Sequence, residues 1–459
     1  MPLPFNQCAM KGSGKNNISM VVTEKLCMGC GFCESLCPEQ CSAIEVLYNQ
    51  KEGQYFPLVD NEKCSECGVC LKICPGAEID FNSLNLSFFD SLPFNNYLGN
   101  FRSIYTGYAA DTAMRKGGSS GGLVTQLMSY ALEKNEVEAV MTVCHNSTNA
   151  FEPSVIFARS KAELLNCQQS QYLPVPLGVG LKKILKDDIR IGVVGLPCHL
   201  HALRKSQVVF KDLNEKIVYA FGLFCFGTTR KTGTEYFLNA HGIIPCEVDS
   251  IRFRDGSYPG RIKIVLKNGK TLFLKRWHGI KKSKVIARLR LGIAFGNPFY
   301  MRRCFSCVDG TSELADISFG DPWLREFMNE QEGQTLIVSR TRNAQRLIER
   351  AVSEGKVILS PLDVKKVILS QGKGECILTA KDMTTKFSIM CAFGRSSPRY
   401  TFNRLNEKFS FLRAARYFLS LVESEVSFNR RWRFLLLPLT VLHYSITFIA
   451  RCAQRFLKR

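Results

Sequence analysis

The residues most able to do chemistry in this 459-residue chain are its 20 cysteines, and nine of them crowd into residues 23–85. Cys27, Cys30, Cys33 and Cys37-Pro38 follow one another at intervals of three, three and four residues, and Cys64, Cys67, Cys70 and Cys74-Pro75 repeat the pattern. Three thiolates at three-residue intervals wrap one face of a [4Fe–4S] cubane, while the fourth lies too far along the loop and crosses to the other cluster. Cys27, Cys30, Cys33 and Cys74 would then hold one cluster, and Cys64, Cys67, Cys70 and Cys37 the other. Gly31 and Gly68 allow the tight backbone path, and Pro38 and Pro75 end each loop. A pair of zinc sites needs neither eight cysteines nor a duplicated spacing. Cys8 and Cys41 fall outside the pattern. The chemistry implied is movement of single electrons, between partners the spacing does not name.

Two further sets of residues lie downstream. Lys116-Gly117-Gly118-Ser119-Ser120-Gly121-Gly122 runs into an amphipathic pattern at Leu123, Leu127 and Ala131. Glycines let the backbone approach a ligand, and a helix N-terminus offers free N–H groups to an anion such as a flavin's pyrophosphate; a purely structural helix entry reads equally from the same residues. Cys198 follows the apolar run Ile189–Val194, Cys225 follows Ile217–Leu223, and Cys304 and Cys307 form a third pair behind Arg302 and Arg303. Ligands in open α/β sheets bind outside the carboxyl ends of strands, which is where Cys198 and Cys225 would sit. The four thiolates could hold a third cubane; one zinc, or four unrelated buried thiols, fits the spacing alone as well.

The elements that must position these groups read as an α/β body over about 101–395, with Ala139–Val143, Val155–Ala158, Ile189–Val194, Ile217–Leu223 and Ala315–Phe319 as buried strands. Ahead of it stand a loose leader at 1–22, a small α+β ferredoxin-like domain at 23–85 and a linker around Leu92 to Asn100. Behind it, 398–459 is a helical basic tail with twelve Lys/Arg against three Glu, a net +9 of the chain's +21.

Hydrophobic residues at 46% and charged residues at 22% exclude a mainly disordered chain. Residues 1–26 carry no apolar run of signal-peptide length, so a reducing cytosol, where cysteines serve as metal ligands, is expected. The positive charge favours negatively charged partners, but no nucleic-acid motif accompanies it, and neither a P-loop nor HExxH occurs.

The cysteine repeat resembles bacterial-type two-cluster ferredoxins. The body resembles the family of beta subunits of coenzyme F420 hydrogenases and dehydrogenases, through Ser119-Ser120-Gly121-Gly122-x2-Thr125, Gly195-x-Pro197-Cys198, Phe224-Cys225, Cys304-x2-Cys307-x-Asp309, and Glu313 through Trp323 with its Gly320-Asp321-Pro322-Trp323 turn. This resemblance implies FAD, a [4Fe–4S] cluster held by Cys198, Cys225, Cys304 and Cys307, and a flavin site lined by Gly118, Ser119, Ser120, Gly121, Gly122 and Thr125. Many members have Gln where this chain has His199. His199 and His201 are candidate proton donors, or structural histidines, and no catalytic residue is assigned.

Two functions follow. One is an FAD- and iron–sulfur-dependent oxidoreductase acting on an organic substrate or coenzyme, with three clusters carrying electrons to or from a protein such as ferredoxin. The other is an electron-input or relay subunit of a larger complex, with F420H2 or NAD(P)H as donor. Phe434 to Ala450 has no charged residue and is flanked by Trp432 and arginines. It reads as a segment lying on an anionic membrane surface at the inner face, with a helix packed on the body or a short span as alternatives.

Overall fold

In a computed structural model, residues 14–146, 148–275, 285–402 and 409–445 are described. Strands β1 (Ile44–Asn49) and β2 (Gln54–Val59) pair antiparallel between the two cysteine loops, and β3 (Glu78–Asp80) follows the second loop. The body begins with β4 (Ser103–Ala109), β5 (Ala139–Cys144), β6 (Ser154–Ala158), β7 (Ile191–Gly195) and β8 (Ile217–Leu223). A separate antiparallel sheet follows, made of β9 (Val248–Asp255), β10 (Arg261–Leu266) and β11 (Thr271–Lys275). Then come β12 (Ile317–Gly320), β13 (Thr335–Ser339), β14 (Val357–Pro361) and β15 (Arg399–Thr401), the last pairing parallel with β3.

Eight strands form the central sheet in the order β14-β4-β13-β12-β8-β7-β5-β6. Within it β5, β7, β8 and β12 run parallel, so their carboxyl ends share one edge. Helices cover both faces, as apolar parallel strands require. Leu123, Leu127, Leu347 and Ala351 pack with Phe221 and Ile337 on one side. On the other, Leu177, Leu181, Leu200 and Leu203 pack with Met141, Ile191 and Val193.

The five strands expected from apolar runs are all present. Three strands of the central sheet were not foreseen, nor was the separate sheet β9–β11. Ser103–Ala109 and Val357–Pro361 alternate apolar with exposed or polar residues at one side of the sheet, and Thr335–Ser339 follows a polar loop.

The cysteine module is docked rather than strung on a linker. Phe32, Leu36 and Ile73 lie in the same core as Leu177 and Leu200. Burying a side chain such as Phe32 stabilises that contact by about 1.5–3 kcal/mol. The Gly178 amide donates to the Cys30 carbonyl (2.7 Å), and Ser35 Oγ donates to the Gly178 carbonyl (2.8 Å). The stretch expected as a linker is also held, since the buried Arg340 guanidinium donates to the carbonyls of Leu98 (2.5 Å) and Asn100 (2.6 Å). Within the stretch expected as a leader, Ile18 and Val21 are buried against the cysteine module. Residues 1–13, including Cys8, lie outside the described residues.

The basic tail is not a separate unit. A helix over Phe411–Phe428 starts at a Ser410 cap and buries Ala414, Tyr417, Leu419 and Leu421. Tyr417 donates to the Phe305 carbonyl, Asn297 donates to Ser420 (2.9 Å), and the Arg230 guanidinium donates to Ser427 (2.5 Å). This helix packs its small and apolar face on the body just ahead of the expected membrane segment Phe434–Ala450, in which Phe434, Leu437, Val441 and Leu442 are exposed. Among the described residues no helix is long and apolar enough to cross a membrane. The end of the expected membrane segment, 446–450 with Phe448, lies outside the described residues.

Candidate redox site

Each cysteine loop turns at a left-handed glycine, Gly31 at φ +86° and Gly68 at φ +72°, where a Cβ would be strained. A Cβ on Gly31 would also meet the Val179 amide nitrogen at 2.9 Å, so this glycine seats the loop on the body as well as turning it.

The loops bring the first set together. Burial raises Cys27, Cys30 and Cys33, and the negative charge of Cys74 adds to the rise in all three. Cys30 is pushed up to about 12. In the second set, burial raises Cys37 and Cys70, with Cys67 contributing to both and Cys64 to Cys37; Cys70 reaches about 11. Cys67 is exposed, whereas Cys27 and Cys33 are buried. One set is therefore interior and the other reaches the surface.

The body set is assembled from three places in the chain. Cys198 sits in the first turn of the helix Pro197–Val209 behind β7. Cys225 lies just past β8, its amide donating to the Gly310 carbonyl (3.0 Å). Cys304 lies in the tight turn Arg302–Ser306, and Cys307 ends it. Burial raises Cys198, Cys225 and Cys304, and each also feels other members: Cys225, Cys307 and Cys304 act on Cys198. Cys225 is pushed up to about 11 and Cys304 to about 12. Cys198 further feels Cys30 of the first set. Two buried cations adjoin the first set, and Arg303 also lies near the body set. Lys205 Nζ donates to the carbonyls of Cys74 (2.9 Å) and Glu78 (2.5 Å), and Arg303 donates to the Pro75 carbonyl (3.2 Å).

A donor set of four mutually close, partly buried thiols fits an iron–sulfur cluster. Thiolates gathered in a low-dielectric interior repel one another and resist ionising, and cationic iron removes both costs. Among the described residues, no three His, Cys, Asp or Glu side chains converge as ligands of a single metal ion.

Beside the body thiols opens a cavity of about 610 Å³, within the usual range for an organic ligand. The carboxyl ends of β5, β7, β8 and β12 form its floor through Val143, Gly195, Leu223 and Gly320. Gly118, Ser119, Ser120, Gly122 and Thr125 line it, as do Cys198 and Cys225. Gly122, at φ +74°, opens the helix Leu123–Glu133, and no side chain caps that end, so its first N–H groups are free for an anion. Gly121 is not on the wall. Its amide donates to Thr335 Oγ1 (2.8 Å), and a Cβ there would lie 2.4 Å from the Gly107 carbonyl oxygen, so it locks the loop onto β4.

The two histidines part company. His199 lines the cavity, accepts the Leu196 amide on Nδ1 (3.3 Å), and is held neutral by burial, which lowers it to about 4. His201 is buried away from the cavity wall, with Nε2 2.9 Å from Asp309 Oδ2. Burial works against the Asp309 charge, but His201, Lys381 and the Thr311 amide outweigh it and bring the carboxyl down to about 2. Asp309 also accepts the Thr311 and Glu313 amides (2.9 Å each), so it shapes the turn behind Cys307.

Several wall residues were not singled out by the sequence. Arg254 of β9 donates to Asp321 (2.6 Å), lies over the Trp323 ring at 5.5 Å, and is buried, yet its Nη2 has no partner among the described residues. A buried guanidinium with a free donor beside an uncapped helix start is a setting for an anionic ligand. Asp321 and Trp323 belong to the turn that carries part of the family resemblance, and both lie on the wall. Gln168, donating to Thr125 (3.2 Å) and to the Met114 carbonyl (2.9 Å), ties the glycine loop to the 167–175 loop. The only sequence signal there was the polar run Gln168-Gln169-Ser170-Gln171.

Clustered thiols facing a ligand cavity at the carboxyl edge of an α/β sheet define an iron–sulfur oxidoreductase. Similarity to known proteins makes the assignment specific. The family model for a 4Fe-4S dicluster domain matches 26–77. The model for the N-terminal region of the coenzyme F420 hydrogenase/dehydrogenase beta subunit matches 104–182, and the model for its C terminus matches 188–365. The chain belongs to the family of coenzyme F420 hydrogenase/dehydrogenase beta subunits, with a 4Fe-4S dicluster domain ahead of the body.

It is 25% identical to a component of the F420H2 dehydrogenase of Methanosarcina mazei, over 69% of this chain and 83% of that protein. It is 23% identical to the beta subunit of the coenzyme F420 hydrogenase of Methanothermobacter thermautotrophicus, over 59% and 88%. A chain of the F420-reducing [NiFe] hydrogenase complex from Methanosarcina barkeri shares the fold, with a TM-score of 0.50 at 21% identity, covering 66% of this chain and 98% of that one.

Proposed function

We propose that the protein is an iron–sulfur flavoprotein that exchanges an electron pair with an organic substrate or coenzyme and single electrons with a protein partner. FAD in the cavity would supply the conversion, taking a hydride as two electrons and releasing them one at a time. Gly118, Ser119, Ser120 and Gly122, with the free amides of the helix start, would meet its phosphates, and Thr125 would line the site. Gly121 would fix the loop, and the free Nη2 of Arg254 would add a charged donor to the phosphate groups. Cys198, Cys225, Cys304 and Cys307 would hold one [4Fe–4S] cluster. Cys27, Cys30, Cys33 and Cys74 would hold the next, and Cys64, Cys67, Cys70 and Cys37 the last.

What supports this reading most is continuity. Cys198 and Cys225 lie on the cavity wall, Cys198 also feels Cys30, and the set containing exposed Cys67 reaches the surface. Buried clusters beside a flavin and an exposed one at the far end make a wire with one outlet. His199 would contact the bound ring as a neutral group, since its proton affinity is too low for a general acid near pH 7.

Anaerobically purified protein should carry one FAD and about twelve iron per chain, from three cubanes. Zinc with no flavin would reject the proposal. Names of the relatives point to coenzyme F420 as the two-electron partner, and reduced ferredoxin and NAD(P)H are the other donors to test. Flavin bleaching with each donor in turn identifies it.

A second reading, an electron-input subunit of a larger complex, is favoured by the surface position of Cys67 and by relatives named as subunits. The exposed Trp432, Phe434, Leu437, Val441 and Leu442 give the same chain an apolar end for an anionic membrane at the cytoplasmic face. Co-sedimentation with anionic vesicles, weakened in part by salt, is the expected result; no binding at low salt removes that role.

A further inference from the structure

Arg303 reaches from one set of cysteines toward another. It precedes Cys304 in the tight turn Arg302–Ser306 and is buried, at 3% exposure. Its Nη2 donates to the Pro75 carbonyl (3.2 Å), one residue past Cys74, and to the Tyr400 hydroxyl (2.7 Å). Nη1 donates to Ser306 Oγ (3.0 Å), and Nε has no hydrogen-bond partner among the described residues. Every acceptor it meets is uncharged, and no carboxylate pairs with it among the described residues. Two lysines repeat the arrangement. Buried Lys205 donates to the Cys74 carbonyl (2.9 Å). Buried Lys386 donates to the carbonyls of Cys307 (2.6 Å) and Ala380 (3.1 Å). Neither lysine forms an ion pair among the described residues.

A guanidinium cannot shed its proton, and a buried charge without a counter-charge is costly. The anions near Arg303 belong to the two cysteine sets. Burial works against its charge, and Tyr400, Cys307 and Cys198 outweigh that cost. Arg303 in turn favours ionised Cys30, Cys74 and Cys304. Four thiolates outweigh the positive charge of an iron–sulfide core, so a bound cluster is anionic, and more so once reduced. We propose that the fixed charge of Arg303 stabilises the reduced states of both the body cluster and the cluster of Cys27, Cys30, Cys33 and Cys74, raising both reduction potentials. Lys386 adds to the body cluster and Lys205 to its neighbour. The inference rests on the cluster assignments above. The step it serves is the passage of one electron: the body cluster loses it, the neighbouring cluster gains it, and no proton moves. Because one charge acts on both, the two potentials rise together and the electron is not trapped on either. Among the described residues no buried cation donates to the backbone of Cys37, Cys64, Cys67 or Cys70, so the surface cluster is an internal control.

The test uses full-length protein purified anaerobically. Iron is counted first, and each cluster's midpoint potential is read by electron paramagnetic resonance during a redox titration. The body-cluster signal is the one missing from Cys198→Ser. Arg303→Gln should shift two of the three midpoints to lower potential and leave the third in place, and Arg303→Lys should recover part of the shift. Lys386→Met should lower the body cluster alone, and Lys205→Met its dicluster-domain neighbour alone. Three unmoved midpoints in Arg303→Gln at native iron content overturn the proposal, and so does an equal shift of all three. If Arg303→Gln loses iron, the lysine variants decide: separate single-cluster shifts support the proposal, and unmoved midpoints overturn it. Native protein with about eight iron and no body-cluster signal overturns the cluster assignment instead, and the iron count tells that failure from the others.

Discussion

The molecule gathers thiols in two ways. In the dicluster domain, eight cysteines sit within 48 residues, and short glycine-turned loops almost suffice to collect them. In the body, Cys198, Cys225, Cys304 and Cys307 come together only because β7 and β8 are neighbours and the turn 302–306 is pressed against their ends. The first arrangement is set by local sequence, and the second depends on long-range packing. The body set should thus be the more fragile, and damage to the packing should reach it first.

The largest expected effect comes from removing that packing. Truncation after Ser410 deletes the helix whose Tyr417 and Ser420 hold Phe305 and Asn297, on either side of Cys304. Uncovering several buried apolar side chains should cost about 5 kcal/mol or more. Iron release followed during denaturant titration should show about four iron leaving early. Simultaneous loss of all iron would mean that the two regions unfold as one.

Next in size is Cys198→Ser, which touches none of the dicluster cysteines. Iron should fall by up to about four per chain while the remaining clusters persist. Unchanged iron with normal activity would make Cys198 a buried thiol and no more.

Gly178→Ala probes the contact between the regions. Its Cβ would lie 2.4 Å from the Phe32 amide nitrogen and 2.2 Å from the Phe32 ring. Relieving that clash should cost about 1–3 kcal/mol, leave iron content intact and slow electron passage from body to dicluster domain. Equal rates in the variant and the native protein would show that this contact does not set the spacing of the clusters.

The smallest effect is a pH dependence. Asp111 caps the helix Thr112–Gly117 leading to the glycine loop, and its carboxyl is held below the ordinary value by Lys161 first and the Met114 amide next. A lowered folded-state value adds stability above the unfolded carboxylate range and loses it as pH falls through the folded value. Asp111→Ala should cost about 0.5–1 kcal/mol at pH 7, with a shrinking difference toward pH 3, read from denaturant midpoints. A difference independent of pH would assign the effect to helix propensity.

The same contrast explains what the sequence made legible. The duplicated cysteine spacing is a local signal, and so are the apolar runs that became β5, β6, β7, β8 and β12. Cys198 and Cys225 were placed at strand ends for the right reason. Their meeting with Cys304 depends on topology, which no spacing encodes. Arg254 was invisible because an arginine in a half-polar strand carries no mark of burial, and Lys205 because a lysine in the helix Pro197–Val209 carries none either. The tail misled through composition. Its net charge dominated the reading, whereas Ala414, Tyr417 and Leu421 recur at helical spacing and are what pack.

In the proposed function the body thiols lie on the electron path between cavity and dicluster domain. Photoreducing the proposed flavin in Cys198→Ser protein, and following flavin and cluster absorbance in one turnover, tests this path. Flavin should bleach at the native rate, with reduction of the two dicluster-domain clusters slowed by at least about tenfold. Cluster reduction at the native rate, in protein shown to have lost the body iron, would contradict it.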